Sequence, residues 1–241
     1  MAINYTCGER YGYESLEFDF MGLSAFVIKP KCKPNGKWII KTEYASAFPE
    51  TEIELLRRGW HVVYNENYNR WAEPRDLERK LEFVKFIPRE LGLDEKFVTV
   101  GMSCGGMYAV KLAALCPERV RGLYIDAPVM NLLSCPFGVG DATDHLAAEF
   151  MSYTGKTLSE MLSYRDHPID KASILLENNI PILLVAGDSD TTVPYHENGA
   201  LLENYYLEHG GKITVIVKPG CGHHPHGTDD PAHLADIIES F

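Results

Sequence analysis

The sequence has no Cys-x-x-Cys pair. Its six cysteines, at positions 7, 32, 104, 116, 135 and 221, are irregularly spaced, which excludes a zinc ribbon and a thioredoxin-type redox site. No run of Lys or Arg exceeds two residues, and the formal net charge is −11. The basic track that nucleic-acid binding needs is therefore missing. No stretch approaches the ~18 apolar residues of a membrane span. The segment Met1–Arg10 lacks both the basic n-region and the apolar h-region of a secretion signal. Repeats, low-complexity tracts and Ser/Gly linkers are also absent, so no domain boundary is expected within 1–241. These absences lead us to expect a cytoplasmic protein with reduced thiols. Its partner would be a small molecule, with neither nucleic acid nor membrane, and its oligomeric state is left open.

What is present is enough for a full core: 241 residues, 45% hydrophobic and 11% aromatic. Strand-like runs alternate with helical patterns. The runs fall at Ser15–Phe20, Ala25–Lys29, Trp38–Lys41, His61–Tyr64, Phe97–Gly101, Val120–Asp126, Ile180–Ala186 and Ile213–Lys218. Several are continuously apolar, as in Ile182–Ala186, which suits strands buried on both faces. Leu77, Leu81, Val84, Ile87 and Leu91 step along one helix face, although Pro88 should kink or shorten that helix. Asn198–His209 reads as a helix stopped by Gly210 and Gly211, and a last helix should run from near Pro231 to Ile238. The first two strands read as an antiparallel hairpin leading into a mostly parallel sheet flanked by helices. The connection Ala127–Asn179 is far longer than a crossover requires. It is expected to be a lid or cap insertion.

The sharpest motif is Gly101-x-Ser103-x-Gly105, between the strand-like run ending at Gly101 and the helical run starting at Met107. A serine on a tight strand-to-helix turn stands above the sheet, and the N–H of Cys104 faces a developing oxyanion. A nucleophilic serine needs a base and an orienting acid, in the order Ser, Asp/Glu, His, each just past a strand. Ile182–Ala186 leads into a turn bearing Asp188 and Asp190, and Ile213–Lys218 leads into a loop bearing His223, His224 and His226. Both aspartates and both His223 and His224 have the required placement. His224 precedes Pro225 and is pushed toward extended backbone, while Gly220 and Gly222 give the loop freedom to present His223.

A metal reading of the same segment would take His223, His224, His226, Asp229 and Asp230 as ligands. Adjacent residues of an extended chain project to opposite sides, so no metal and no cofactor are expected. The loop Asn65–Trp71 leaves the carboxyl end of a strand, the ligand side of an open α/β sheet. Its Asn67, Arg70 and Trp71, with His224, are the expected substrate-binding residues. Amides, a guanidinium and a flat ring suit a polyhydroxylated molecule.

With these residues in view, the chain resembles the α/β-hydrolases of the prolyl-oligopeptidase-like serine esterase group. It resembles in particular bacterial hydrolases ending in a Gly-x-Gly-His-His-Pro-His block. The likeness runs through Phe48 and Pro49, Leu55–Tyr64, the elbow at Ser103, Asp126–Val129, the Gly187–Asp190 turn and the closing block Gly220–His226. It implies Ser103 as nucleophile, Asp190 as acid and His223 as base. The sequence departs from the group in having Thr42–Ala45 where a His-Gly-Gly-Gly oxyanion loop is usual. The second oxyanion donor is therefore expected near Tyr44. The implied activity is hydrolysis of carboxylic esters, acetyl-type esters of a carbohydrate or other small molecule. Peptidase activity and a non-catalytic binding role are the alternatives.

Overall fold

Along each central run, successive buried side chains go to opposite faces, and this alternation builds a sheet covered on both sides. Trp38, Ile40, Val63, Leu123, Ile125, Ile182 and Leu184 face one apolar layer. Ile39, Val62, Tyr64, Tyr124, Leu183 and Val185 face the other. The computed structural model describes residues 4–143 and 146–241. Their strands are β1 (Thr6–Arg10), β2 (Tyr13–Phe20), β3 (Leu23–Ile28), β4 (Trp38–Lys41), β5 (His61–Asn65), β6 (Phe97–Met102), β7 (Val120–Asp126), β8 (Ile182–Gly187) and β9 (Ile213–Lys218). They form one sheet in the order β1-β2-β3-β5-β4-β6-β7-β8-β9. The pairs from β1 through β3 to β5 are antiparallel, and those from β5 through β4 to β9 are parallel. This is the α/β-hydrolase architecture that the sequence led us to expect, with the antiparallel entry and parallel body in place. The additional strand β1 lies at the edge and is mostly exposed. Its Thr-Cys-Gly-Glu-Arg sequence has no apolar alternation to mark it.

Helices α2 (Pro74–Leu91), α3 (Cys104–Leu115), α6 (Ala172–Glu177) and α7 (Gly199–Glu208) cover the first face. Helices α1 (Glu50–Arg57) and α8 (Pro231–Glu239) cover the second. Pro88 does not cut α2 short: the helix runs on to Leu91 and ends at Gly92, whose φ is 67°. With Pro88 in the last turn, the missing N–H forfeits one helical bond near an end that was about to stop. Asp230 caps α8, its carboxylate accepting the His233 N–H at 3.0 Å. Among the described residues no helix is long and apolar enough to cross a membrane.

Two short helices, α4 (Ala147–Thr154) and α5 (Leu158–Met161), lie in the long connection between β7 and β8. Residues 144 and 145 of that connection lie outside the described residues. Its Leu132, Cys135, Phe150 and Met161 pack with Trp71, Met107 and Tyr108 in a third apolar cluster. The insertion thus sits on the first turns of α3, at the carboxyl end of the parallel strands.

Candidate active site

Ser103 occupies the turn between β6 and α3 with φ 53° and ψ −122°, a backbone conformation that L-residues rarely adopt. Three backbone bonds hold it there. Its N–H donates to Asp126 O at 2.9 Å, and its carbonyl accepts from Gly106 N at 2.9 Å and Val129 N at 3.1 Å. The glycine at 101 is a steric requirement, since a Cβ there would lie 2.2 Å from Gly105 O. Cys104 opens α3, so its N–H belongs to the first-turn donors that have no carbonyl partner within the helix. Its thiol is buried and its pKa is pushed up to about 11 by that burial, which disfavours the reactive thiolate.

His223 connects the serine to an acid. Its Nε2 lies 3.1 Å from Ser103 Oγ and its Nδ1 lies 2.7 Å from Asp190 Oδ2. The other Asp190 oxygen accepts the N–H groups of Thr192 and Val193, both at 2.9 Å. That fixes the carboxylate and makes Nδ1 the protonated ring nitrogen, so Nε2 presents a lone pair to the hydroxyl. Asp188 is exposed and turned the other way, accepting from Ser189 Oγ at 2.9 Å and Gly220 N at 2.7 Å. It closes the loop against the histidine segment. The chain passes so near Gly187 that a Cβ there would lie 2.2 Å from Cys221 O.

The segment after β4 runs beside the elbow. Thr42 Oγ1 lies 3.0 Å from Val100 O and 2.7 Å from Gly105 O, and its hydroxyl ties this loop to the first turn of α3. Tyr44 follows with φ 53°. Tyr44, Phe48, Arg70, Ser103, Cys104, Cys135, Leu146, Thr192, His223, His224 and His226 line a cavity of about 340 Å³. A larger groove, about 1000 Å³, runs along β9 behind the histidine loop, but Ser103 and His223 do not line it.

The expected substrate-binding residues divide. Arg70 and His224 reach the cavity. Arg70 arrives already paired with Glu149 of α4, Nε to Oε1 at 2.8 Å, and that pairing raises the guanidinium further above its ordinary range. Asn67 and Trp71 do not line the cavity. The Asn67 side-chain amide donates to Thr42 O at 2.8 Å and to Glu43, so it braces the loop after β4 from behind. Trp71 is 2% exposed and packs edge-on against Phe150 with ring centroids 5.2 Å apart. A large ring beside an apolar insertion is buried before it can stack on a ligand. Behind this wall Lys80 is fully buried, its Nζ donating to Asn65 O at 3.0 Å. Burial lowers its pKa to about 7 against the pull of Glu43, whose own pKa burial raises.

The geometric reason for setting a metal aside does not hold in the structure. Residues 221–230 form a succession of bends instead of an extended strand. His223, His224 and His226 consequently gather, with ring centroids 4.8, 5.0 and 4.9 Å apart pairwise. His226 is buried, and its Nδ1 lies 2.7 Å from Asp126 Oδ1, while Asp126 Oδ2 accepts Gly227 N at 2.6 Å. Sequence reasoning missed this second His–Asp pair. A carboxylate at the carboxyl end of a central parallel strand was the signal available. Phe48 stacks on His224 at 5.4 Å, and burial with the two neighbouring imidazoles lowers the pKa of His224.

The sequence profile of the prolyl oligopeptidase family matches residues 83–241. Among solved structures, acetyl xylan esterase 1 from Thermoanaerobacterium sp. is 16% identical with a TM-score of 0.71, over 100% of this chain and 87% of that one. Puromycin hydrolase is 16% identical with a TM-score of 0.70, over 99% of this chain and 38% of that one. Pyrococcus horikoshii acylaminoacyl peptidase is 14% identical with a TM-score of 0.68, over 98% of this chain and 40% of that one. The chain therefore spans well under half the length of the latter two proteins, and at these identities the likeness is one of fold.

Proposed function

The chain belongs to the prolyl oligopeptidase family of α/β-hydrolases, and from that premise we propose that it is a serine hydrolase of small carboxylic esters. The observation that carries the proposal is the unbroken relay from Ser103 Oγ through His223 to Asp190, at 3.1 and 2.7 Å, on a strained elbow that lines a cavity. In this reading Ser103 attacks the ester carbonyl while His223 Nε2 takes its proton. Asp190 holds the imidazole in the needed tautomer and steadies the imidazolium that forms. The N–H of Cys104, with that of Tyr44 as the second donor, stabilises the tetrahedral oxyanion. His223 then returns the proton to the departing alcohol, and water repeats the sequence on the acyl-enzyme. No cofactor takes part.

A small acyl group fits a cavity of about 340 Å³ that Cys135 and Leu146 of the insertion help enclose. We assign the part of the Ala127–Asn179 connection that precedes α6 the role of a lid that sets acyl and alcohol preference. An acetyl-type ester of a carbohydrate is the favoured substrate, supported by the likeness to an acetyl xylan esterase matched over 87% of its length. Arg70 and His224 are the polar groups offered to the alcohol. Turnover of acetylated sugars should exceed that of matched anilides by orders of magnitude. Anilide or peptide turnover at a comparable kcat/KM would favour the peptidase reading, which the family also contains.

A further inference from the structure

Three imidazoles meet at one edge of the cavity, and only His223 takes part in the proton transfers of the hydrolysis just proposed. One ring nitrogen from each of His223, His224 and His226 lies within 4.8 Å of the other two. The orientation of two of these rings is fixed from behind. Asp190 accepts from His223 Nδ1 at 2.7 Å, and Asp126 accepts from His226 Nδ1 at 2.7 Å. In the neutral ring each carboxylate thereby holds the proton on Nδ1 and leaves Nε2 as the free lone pair, the ligand form. A carboxylate behind a histidine is the usual outer support of a metal ligand. His226 and Asp126 are buried together, with side chains 3% and 2% exposed, so the orientation is built in. His224 is the exposed member, its ring stacked on Phe48.

We infer that His223, His224 and His226 form a Zn²⁺ site whose occupation switches the serine chemistry off. Neutral imidazoles favour Zn²⁺ over Mg²⁺ and Ca²⁺. Tetrahedral zinc with Zn–N of about 2.0–2.1 Å brings ligand nitrogens to about 3.4 Å from one another. From separations of up to 4.8 Å the ring nitrogens therefore have to close by up to about 1.4 Å, a movement open to His224 as the exposed member. Because His223 and His226 already carry their protons on Nδ1, zinc is bound through existing lone pairs. Binding breaks only the Ser103 Oγ–H to His223 Nε2 hydrogen bond, and a water or Ser103 Oγ takes the fourth position. With the His223 lone pair on zinc, Ser103 loses its proton acceptor. The loss of turnover rests on the serine hydrolase reading; the binding itself does not.

Binding is therefore measured first without turnover, on the Ser103→Ala protein, by competition with a chromogenic zinc chelator. One Zn²⁺ per chain, with a Kd below about 100 μM, is expected. His224→Ala and His226→Ala, each added singly, should weaken it at least about tenfold, a typical loss for a damaged metal site. His224 is exposed, so its replacement keeps the test valid even if the His226 variant fails to fold. His196→Ala serves as control for the exposed Asp141, His196, Glu197 cluster and should bind as before. In the unmodified enzyme Zn²⁺ should abolish ester turnover reversibly, EDTA should restore it, and equal Mg²⁺ or Ca²⁺ should do nothing. Inhibition of His224→Ala, read against its own zinc-free rate, should need at least about tenfold more zinc. Zinc binding unchanged by both histidine substitutions, binding lost in His196→Ala, no binding by 100 μM, or a rate raised by zinc would each overturn the inference.

Discussion

Replacing Asp190 by Asn exchanges one side-chain oxygen for an NH₂ and should nearly silence the enzyme without unfolding it. The amide oxygen of the Asp190→Asn side chain can still accept the N–H groups of Thr192 and Val193, both at 2.9 Å in the native protein, so the turn keeps its two backbone bonds. The change falls on the other atom, now an NH₂ facing His223 Nδ1 across 2.7 Å. Two donors cannot share that contact, so the ring must carry its proton on Nε2, the nitrogen that lies 3.1 Å from Ser103 Oγ. The base is then in the wrong tautomer. A triad disabled this way loses about 10³–10⁴ in kcat, which is about 4–5.5 kcal/mol of transition-state stabilisation. KM should move little, since Asp190 does not line the cavity. Asp188→Asn is the matched control. Its carboxylate serves Ser189 and Gly220 in an exposed loop, so turnover should stay within about fivefold, in keeping with a surface change. Steady-state kinetics on an activated acetyl ester, with thermal unfolding to verify the fold, reads both variants. If folded Asp190→Asn kept a tenth of the activity, or Asp188→Asn lost more than it, the relay as drawn would be wrong.

Three other outcomes test separate parts of the account. Trp71→Ala should cost about 3–5 kcal/mol of stability, as expected of a large buried ring, while KM in the folded protein stays within a few-fold. A large rise in KM at unchanged stability would return Trp71 to the substrate. Lys80 has its pKa lowered to about 7 by burial, so the unfolded chain binds more protons than the folded one above that pH. Stability of the native protein relative to Lys80→Met should therefore rise with pH, by about 1 kcal/mol per unit from pH 7 to 8.5, and level off below pH 6. A flat difference between their denaturant curves would contradict a buried, deprotonating lysine. Leu146→Trp should narrow the cavity that Leu146 lines and shift preference among acyl chain lengths toward acetyl. An unaltered ranking would remove the insertion from substrate choice.

How much of this was legible depended on whether a residue's role was set locally. Ser103 could be read because strand, turn and helix are all encoded within ten residues, and the glycine at 101 is forced by the contact with Gly105 O. The buried strands were legible from their apolar runs, whereas β1 was not, because an exposed edge strand carries no apolar alternation. Asn67 and Trp71 were misplaced for a different reason. Whether a loop residue faces solvent or packing depends on what is folded against it: α4 covers Trp71 with Glu149 and Phe150, and the loop after β4 takes the Asn67 amide. The meeting of the three histidines depended on bends at residues 223–229 that a pattern of side-chain types does not specify. Asp126 and His226, 100 residues apart, could be joined only by knowing that β7 ends beneath that loop.

The central claim is that Ser103 is a nucleophile activated by His223, and a fluorophosphonate tests it most directly. Such a reagent phosphonylates a serine only where a base and an oxyanion site are already assembled. Intact-mass measurement of the native protein should show one added phosphonyl group, mapped by peptide sequencing to Ser103, with ester turnover lost in proportion. Ser103→Ala should take up none, and Asp190→Asn should label far more slowly. Labelling at another residue, or an unlabelled protein that still hydrolyses esters at full rate, would contradict the account.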